Sequence, residues 1–315
     1  MYKKRYLEDV ILGLHRTFKV IYLAGPRQVG KTTLLKHLAL KFSLNYVSLD
    51  DMDARQLAQE DPALFLQRHL PPLFIDEVQY APQLFSFIKI NVDRTNKTGQ
   101  YWLTGSQQFS IMKNVKESLA GRVGIVNLLG FSLAENEQLK QNKYPFLPGR
   151  PLVKATALNI RDLFNQILRG SYPVLSHKKA PVLSAFYNSY LQTYLDRDLR
   201  DIFNVAKISD FHKFLSLCAA RTGQILNLSD LARDAGISFH AAKEWLGILE
   251  ASLQVYLLAP YYRNVSKRLI KAPKLYFLDT GLAAYLAKWK TAETLSHGAM
   301  AVSYTHLTLP TKRIV

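Results

Sequence analysis

The sequence predicts an α/β protein, with a parallel sheet and its helices in the first half and a mostly helical second half. Three observations predict it. The apolar, β-rich run "KVIYLA" passes through a glycine-bracketed loop into "TTLLKHLALKF", which places Leu34, Leu35, Leu38 and Phe42 on one helical face. A second apolar strand, "LFI" at Leu73–Ile75, ends in the acidic pair Asp76 and Glu77. From Leu158 to Ala220 the apolar spacing is helical.

The first element, "MYKKRYLEDVILGLHRTFKV", starts with positive charge but carries Glu8 and Asp9 and has no unbroken apolar stretch of the kind an export signal needs. It reads as a short amphipathic helix leading into the first strand. The loop that follows that strand has the P-loop pattern: Gly25, four residues, Gly30, Lys31 and Thr32. Glycines let the backbone turn sharply and aim several N–H groups at one anion, and the helix N-terminus adds a partial positive charge. The expected nucleotide-binding residues are therefore Gly25, Pro26, Arg27, Gln28, Val29, Gly30, Lys31, Thr32 and Thr33. Lys31 would reach the β- and γ-phosphates of ATP, and the Thr32 hydroxyl would ligate Mg²⁺. The bland alternative is a glycine turn before a helix with an incidental lysine.

About 45 residues after the loop, Asp76 ends its strand as the magnesium-side acid, and Glu77 is next to it, placed to polarise an attacking water. That pair points to hydrolysis rather than binding alone. The next strand, "YWLTGSQQF", ends in Thr104, Gly105 and Ser106; Thr104 or Ser106 would sense the γ-phosphate or orient water, and a strand running into a glycine turn is an equal reading. Arg122 precedes a further apolar strand in "SLAGRVGIVNLL". It is either an arginine finger acting on a neighbouring subunit of a homo-oligomer or a solvated structural arginine.

Together "GPRQVGKTTLL", "LFIDEVQ", "LTGSQ" and "SLAGR" resemble the prokaryotic AAA-superfamily ATP-binding proteins, in which the ATPase domain precedes a second domain of uncharacterised function. The resemblance continues through "GSYPVL", "YLQTYLDRDLRDI", "LNLSDLARDAGIS" and "KAPKLYFLDTGLAAYL", covering nearly all of residues 1–300. It implies ATP and magnesium, with Lys31, Thr32, Asp76 and Glu77 at matching positions and Arg122 at a less certain one.

The fold class expected is thus a P-loop NTPase, AAA-like parallel-sheet domain followed by a helical and winged-helix domain, C-terminally truncated. The boundaries expected are an ATPase domain over 1–150, a helical segment over 157–220, a winged-helix-like domain over 221–280, the start of a truncated domain over 281–300 and a non-native tail over 301–315. Residues 136–156 are polar, with three prolines and a glycine, as in a linker. Asp196, Arg197, Asp198 and Arg200 read as a charged helix face.

Over 226–255 a helix-turn-helix is expected, with a Ser229 cap, Leu231, Ala232 and Ala235 inward, a turn at Gly236, and Trp245, Leu246 and Leu249 in the core. Strand-like "LQVYLLAPYY" and "KLYFLD" follow, and between and beside them Arg263, Lys267, Arg268, Lys271 and Lys274 form the densest basic stretch, suited to a phosphate backbone. Ser238, His240, Lys243 and Glu244 at the start of the second helix are poor equipment for reading base edges. Nucleic-acid contact and protein contact both stay open for this module.

Composition bounds the rest. The chain has 315 residues, 48% hydrophobic and 11% aromatic, enough for packed cores in about two domains. No apolar run approaches the roughly 20 residues that span a bilayer, so no membrane partner and a cytoplasmic location are expected. Cys218 is the single cysteine, which excludes an internal disulfide, and it sits in an apolar helical stretch. No two of the eight histidines have metal-ligand spacing. The net charge of +17 suits a phosphate-rich partner. Two functions are expected to compete: an ATP-hydrolysing switch, and a winged-helix nucleic-acid-binding protein with ATP as effector. A nucleotide-bound scaffold that hardly turns over is a weaker third.

The tail "AVSYTHLTLPTKRIV" falls outside the resemblance, which implies a restriction-endonuclease-like domain after "KLYFLDTGLAAYL". Val302–Thr311 can be back-translated into a transposon-end adapter of the kind used in sequencing libraries. Residues 301–315 are therefore expected to be non-native, and Leu282, Leu286 and Trp289 to be partly exposed where the missing domain would pack. A natural C-terminal strand is the alternative.

Overall fold

Five parallel strands form the sheet of the first half: β1 (Val20–Ala24), β2 (Asn45–Ser48), β3 (Leu73–Asp76), β4 (Tyr101–Thr104) and β5 (Val123–Asn127), in the order β2-β3-β4-β1-β5. The computed structural model describes residues 2–105, 115, 117–138, 159–177, 180–194, 208–261, 271–298 and 301. The chain divides into two compact units, Met1–Leu129 and Gly130–Val315. Asp196, Arg197, Asp198, Arg200, the linker from 139 onward and the tail from Val302 lie outside the described residues.

Every residue of β1, β3 and β4 is buried, as a parallel sheet covered on both faces requires. One face packs Val20, Tyr22, Leu73, Ile75, Tyr101 and Leu103 against apolar residues of α3 (Met52–Glu60), α4 (Pro62–Arg68) and α5 (Leu84–Asp93). Asp51 and Asp61 cap α3 and α4, accepting from Ala54 N and Leu64 N at 2.9 Å each. The other face lies under α1 (Leu7–Thr17) and α2 (Lys31–Ala39). There Trp102 of β4 makes edge contacts with His15 and Phe42. The amphipathic helix expected at the N-terminus is α1, with Ile11 fully buried. The strand β2 was not expected: "NYVS" is short and only Val47 is buried.

Because β4 lies between β1 and β3, the C-terminal ends of these three strands come side by side. Leu23 pairs with Thr104, and Ile75 with Leu103. That is the crevice in which open α/β sheets bind ligands.

Among the described residues of the second unit the helices are α6 (Leu133–Asn136), α7 (Ile160–Arg169), α8 (Leu183–Tyr194), α9 (Ile208–Ala220), α10 (Leu228–Ala235), α11 (Phe239–Ala251), α12 (Thr280–Leu286) and α13 (Ala292–Ser296). A two-stranded antiparallel ribbon, β6 (Val255–Leu258) with β7 (Lys274–Phe277), follows α11. Leu231, Ala232, Ala235, Trp245, Leu246 and Leu249 are all buried, and Gly236 ends α10 in the left-handed region at φ 78°. Asn227 rather than Ser229 caps α10, its side chain accepting from Asp230 N at 3.2 Å. The shift of two residues has a simple cause: in "NLSD" the asparagine is the residue with the extended backbone that a cap needs. Cys218 is fully buried and burial pushes its thiol up, so it is a packing residue and no nucleophile.

The expected exposure of Leu282 and Leu286 is overturned: both are buried, and α12 packs on α7 and α9 within this unit. Trp289, just beyond α12, is half-buried. The cause lies one residue before α12. Asp279 accepts from Ser171 N and Ser171 Oγ at 2.7 Å each, from Tyr187 Oη at 3.0 Å and from Leu282 N at 2.6 Å. One buried carboxylate thereby caps α12 and ties it to the turn after α7 and to α8. Gly170 and Gly281 make room for this cluster: a Cβ on either would come within 2.2 Å of Tyr187 Oη.

Candidate functional site

The loop between β1 and α2 turns at two glycines. Gly25 has φ 154°, and a Cβ there would lie 2.2 Å from the Leu128 carbonyl oxygen, so no larger residue fits. Gly30 has φ 90° and stands at the N-cap of α2, where no side chain caps the helix. The first-turn amides of α2 are thus left to the loop, as an anion site needs. Between the glycines Val29 is buried, Pro26 and Arg27 are half-buried, and Gln28 is exposed with φ 62°. The Lys31 ammonium is buried and folds back over the loop, donating to Gly25 O at 3.0 Å and Pro26 O at 2.8 Å. Thr33 is on the exposed side of α2.

At the tips of β3 and β4 the polar groups converge on Asp76. Its Oδ1 accepts from Thr32 Oγ1 at 3.0 Å and from Thr104 Oγ1, and its Oδ2 accepts from Tyr46 Oη at 3.3 Å. Asp76 and Thr104 are buried, and Thr32 is half-buried. Glu77 follows in the left-handed region at φ 57°, which turns the chain out of the strand. Its backbone N donates to Thr104 Oγ1 at 3.2 Å, and its carboxylate accepts from Gln79 Nε2.

Lys31, Thr32, Asp76, Glu77 and Thr104 therefore form one cluster at the strand tips, with the Gly25–Gly30 loop over it. Arg122 is not brought there. It precedes β5 at the opposite end of the sheet, its carbonyl accepting from Val20 N at 3.1 Å, and the length of β1, about 16 Å, separates it from the loop. The guanidinium is engaged with Asp93 instead, through Nε at 2.5 Å and Nη2 at 2.9 Å. This pairing holds the Asp93 carboxyl below its ordinary value. Ser106 lies outside the described residues.

Three residues of this neighbourhood escaped sequence reasoning. Tyr46 reaches Asp76 from β2, the strand that was missed. Gln79 belongs to "DEVQ", but only its contact with Glu77 marks it. Arg5, 24 residues before Val29, is buried and donates to Val29 O at 3.2 Å and to Leu129 O at 2.6 Å. No spacing within the loop motif points to it.

Lys271 and Lys274 of the basic stretch are exposed; Arg263, Lys267 and Arg268 lie outside the described residues. Among the described residues no helix is long and apolar enough to cross a membrane, and no group of three or more His, Cys, Asp or Glu is placed to hold a metal ion.

Residues 17–137 match the AAA domain family, and residues 160–293 match a domain of unknown function, DUF8612. The uncharacterised proteins Mb2031c of Mycobacterium bovis and Rv2008c of Mycobacterium tuberculosis are each 28% identical over 270 residues, 85% of this chain and 56% of theirs. The chain thus spans little more than half the length of these curated relatives. Among solved structures, the Walker-type ATPase PABY2304 of Pyrococcus abyssi has the same fold, with a TM-score of 0.50 at 14% identity over 90% of this chain and 96% of that one. The glycine loop and the acid at the β3 tip fall within residues 17–137, the part of the chain that matches the AAA domain family, and they support an AAA-superfamily ATP-binding domain there.

Proposed function

We propose that the chain is a magnesium-dependent ATPase whose nucleotide state switches the second unit. The observation that carries this is the meeting of Thr32 and Thr104 on one oxygen of Asp76, with Glu77 on the next residue. The donor set suits a hard divalent cation: a hydroxyl and a carboxylate 3.0 Å apart beside a phosphate-binding loop. Thr32 and Asp76 would hold Mg²⁺, which when bound supplies charge neutralisation at the phosphates.

The loop amides and the α2 N-terminus bind the phosphates, and Lys31 exchanges its loop carbonyls for phosphate oxygens. Thr104 fixes the Glu77 backbone from the neighbouring strand. Glu77 accepts the proton of the attacking water. Arg122 takes no part within one subunit; a role in trans would require it to leave Asp93 and face a neighbour's site. The switch reading is supported by Arg5, which ties the loop carbonyl of Val29 to Leu129, the last residue of the first unit. Phosphate release from ATP should need magnesium: a full rate in excess EDTA would contradict the cation site.

A second reading has the helix pair α10–α11 and its ribbon act as a winged helix that contacts nucleic acid. It is favoured by Lys271 and Lys274 standing exposed at the ribbon, with Phe239 and Tyr261 exposed in the same unit. Neutralising Lys271 and Lys274 together should weaken duplex binding irrespective of sequence. The slope of log K against log salt should fall by about one for each phosphate that the variant no longer neutralises. An unchanged slope would leave the ribbon as a solvated or protein-contacting surface.

A further inference from the structure

A chain of polar groups behind Glu77 has no place in the functions above. Gln79 donates through Nε2 to Glu77 Oε2, and a carboxylate oxygen can only accept, so the amide nitrogen is the end that faces it. The other end, Gln79 Oε1, is buried and has no partner among the described residues. Tyr22 Oη is buried and likewise without a partner. Both point at the backbone of Gly105: a Cβ there would stand 2.5 Å from Tyr22 Oη and 2.9 Å from Gln79 Oε1. A donor and an acceptor without partners among the described residues therefore share one small space, kept open by the glycine that follows β4.

We infer that Gln79 is a positioning residue for Glu77, and that Tyr22, across the space at Gly105, keeps the Gln79 amide turned with its nitrogen toward the carboxylate. The inference rests on Glu77 being the base of the proposed ATPase. A glutamate on a left-handed turn at a strand tip has side-chain freedom that a base cannot afford. One amide contact on Oε2 removes that freedom and leaves Oε1 for the water's proton. Reversing the amide would set Oε1 against the carboxylate, two acceptors facing, so the Gln79 orientation matters as much as its presence. Burial and the Glu77 charge both push the Tyr22 hydroxyl above its ordinary value, which keeps it a donor toward Oε1. Gly105 is then required for the space.

The test uses the full chain with magnesium and ATP. Gln79→Met keeps the side-chain length and loses the amide. It should lower kcat about tenfold, a part of what a general base contributes, while KM and the affinity for ATP stay within about twofold. Added to Glu77→Gln, the same substitution should cause no further loss, because there is no carboxylate left to position. Tyr22→Phe removes one oxygen and should lower kcat in the same way by about threefold, again at constant KM. If Gln79→Met does not fold, Tyr22→Phe carries the test alone, and a wild-type kcat in it overturns the inference. Unchanged or raised kcat in a folded Gln79→Met, with Glu77→Gln inactive, overturns the positioning role and leaves the base assignment standing. Full activity in Glu77→Gln overturns the base assignment, and the positioning role with it.

Discussion

Lys31→Ala should lower the affinity for ATP by roughly 100-fold or more while the protein stays folded. The ammonium is a charged donor folded back over the loop, and charge-assisted hydrogen bonds contribute about 1.5–3 kcal/mol each. Losing two of them to phosphate corresponds to about 100-fold to 10,000-fold in affinity. The fold is affected less. The ammonium donates to Gly25 O and Pro26 O, carbonyls of the glycine loop alone, so the loss of these bonds falls on that loop rather than on the sheet. Titration with a fluorescent ATP analogue, beside thermal unfolding of the same samples, separates the two effects. Wild-type affinity in a folded variant would remove Lys31 from the phosphate site.

Asp279→Ala should destabilise the second unit by about 3–5 kcal/mol. The substitution strands three donors at once, the backbone amides Ser171 N and Leu282 N and the Ser171 hydroxyl, while Tyr187 Oη keeps Arg169 O, and it uncaps α12. A buried donor left without a partner costs about 1–3 kcal/mol, and removal of the cap about 1 kcal/mol. Asp279→Asn should recover only part, because its amide must face one of the donors with a second donor. The carboxyl also leaves a pH signature. Burial, the largest influence, raises it above its ordinary 3.8 despite the bonds it accepts. The folded state then holds its proton more tightly than the unfolded one. The contribution of this group is greatest in acid below the unfolded value and falls as the pH rises through the folded value. Asp279→Asn should flatten that limb. Urea unfolding of the second unit across the acid range checks both statements, and a loss under 1 kcal/mol in the alanine variant would contradict the tie.

The first half was legible where chemistry constrains local pattern. Gly25, Gly30 and Lys31 need their spacing because a turn, an anion and a helix start must coincide, and the buried runs of β1, β3 and β4 are apolar up to the tips of β3 and β4, where Asp76 and Thr104 stand. Beyond that local pattern the sequence is silent. The strand order was not readable, since β4 enters between β1 and β3 through pairings that no single segment announces. The strand β2 exposes Asn45 and Tyr46, so its apolar signal is too weak. Tyr46 and Arg5 were missed because contacts from distant segments leave no spacing to count. Leu282 and Leu286 were misjudged for the same reason: their cover comes from α7 and α9, more than 60 residues upstream.

On the proposed reading, Asp76 and Glu77 make the loop hydrolytic rather than only nucleotide-binding. The most direct measurement is phosphate release from magnesium-ATP by Glu77→Gln, with ATP affinity measured on the same protein. Glutamine keeps the size and loses the acceptor for the water's proton, so affinity should stay within about twofold while the rate falls about 100-fold or more. Normal turnover in the folded Glu77→Gln protein would contradict the account.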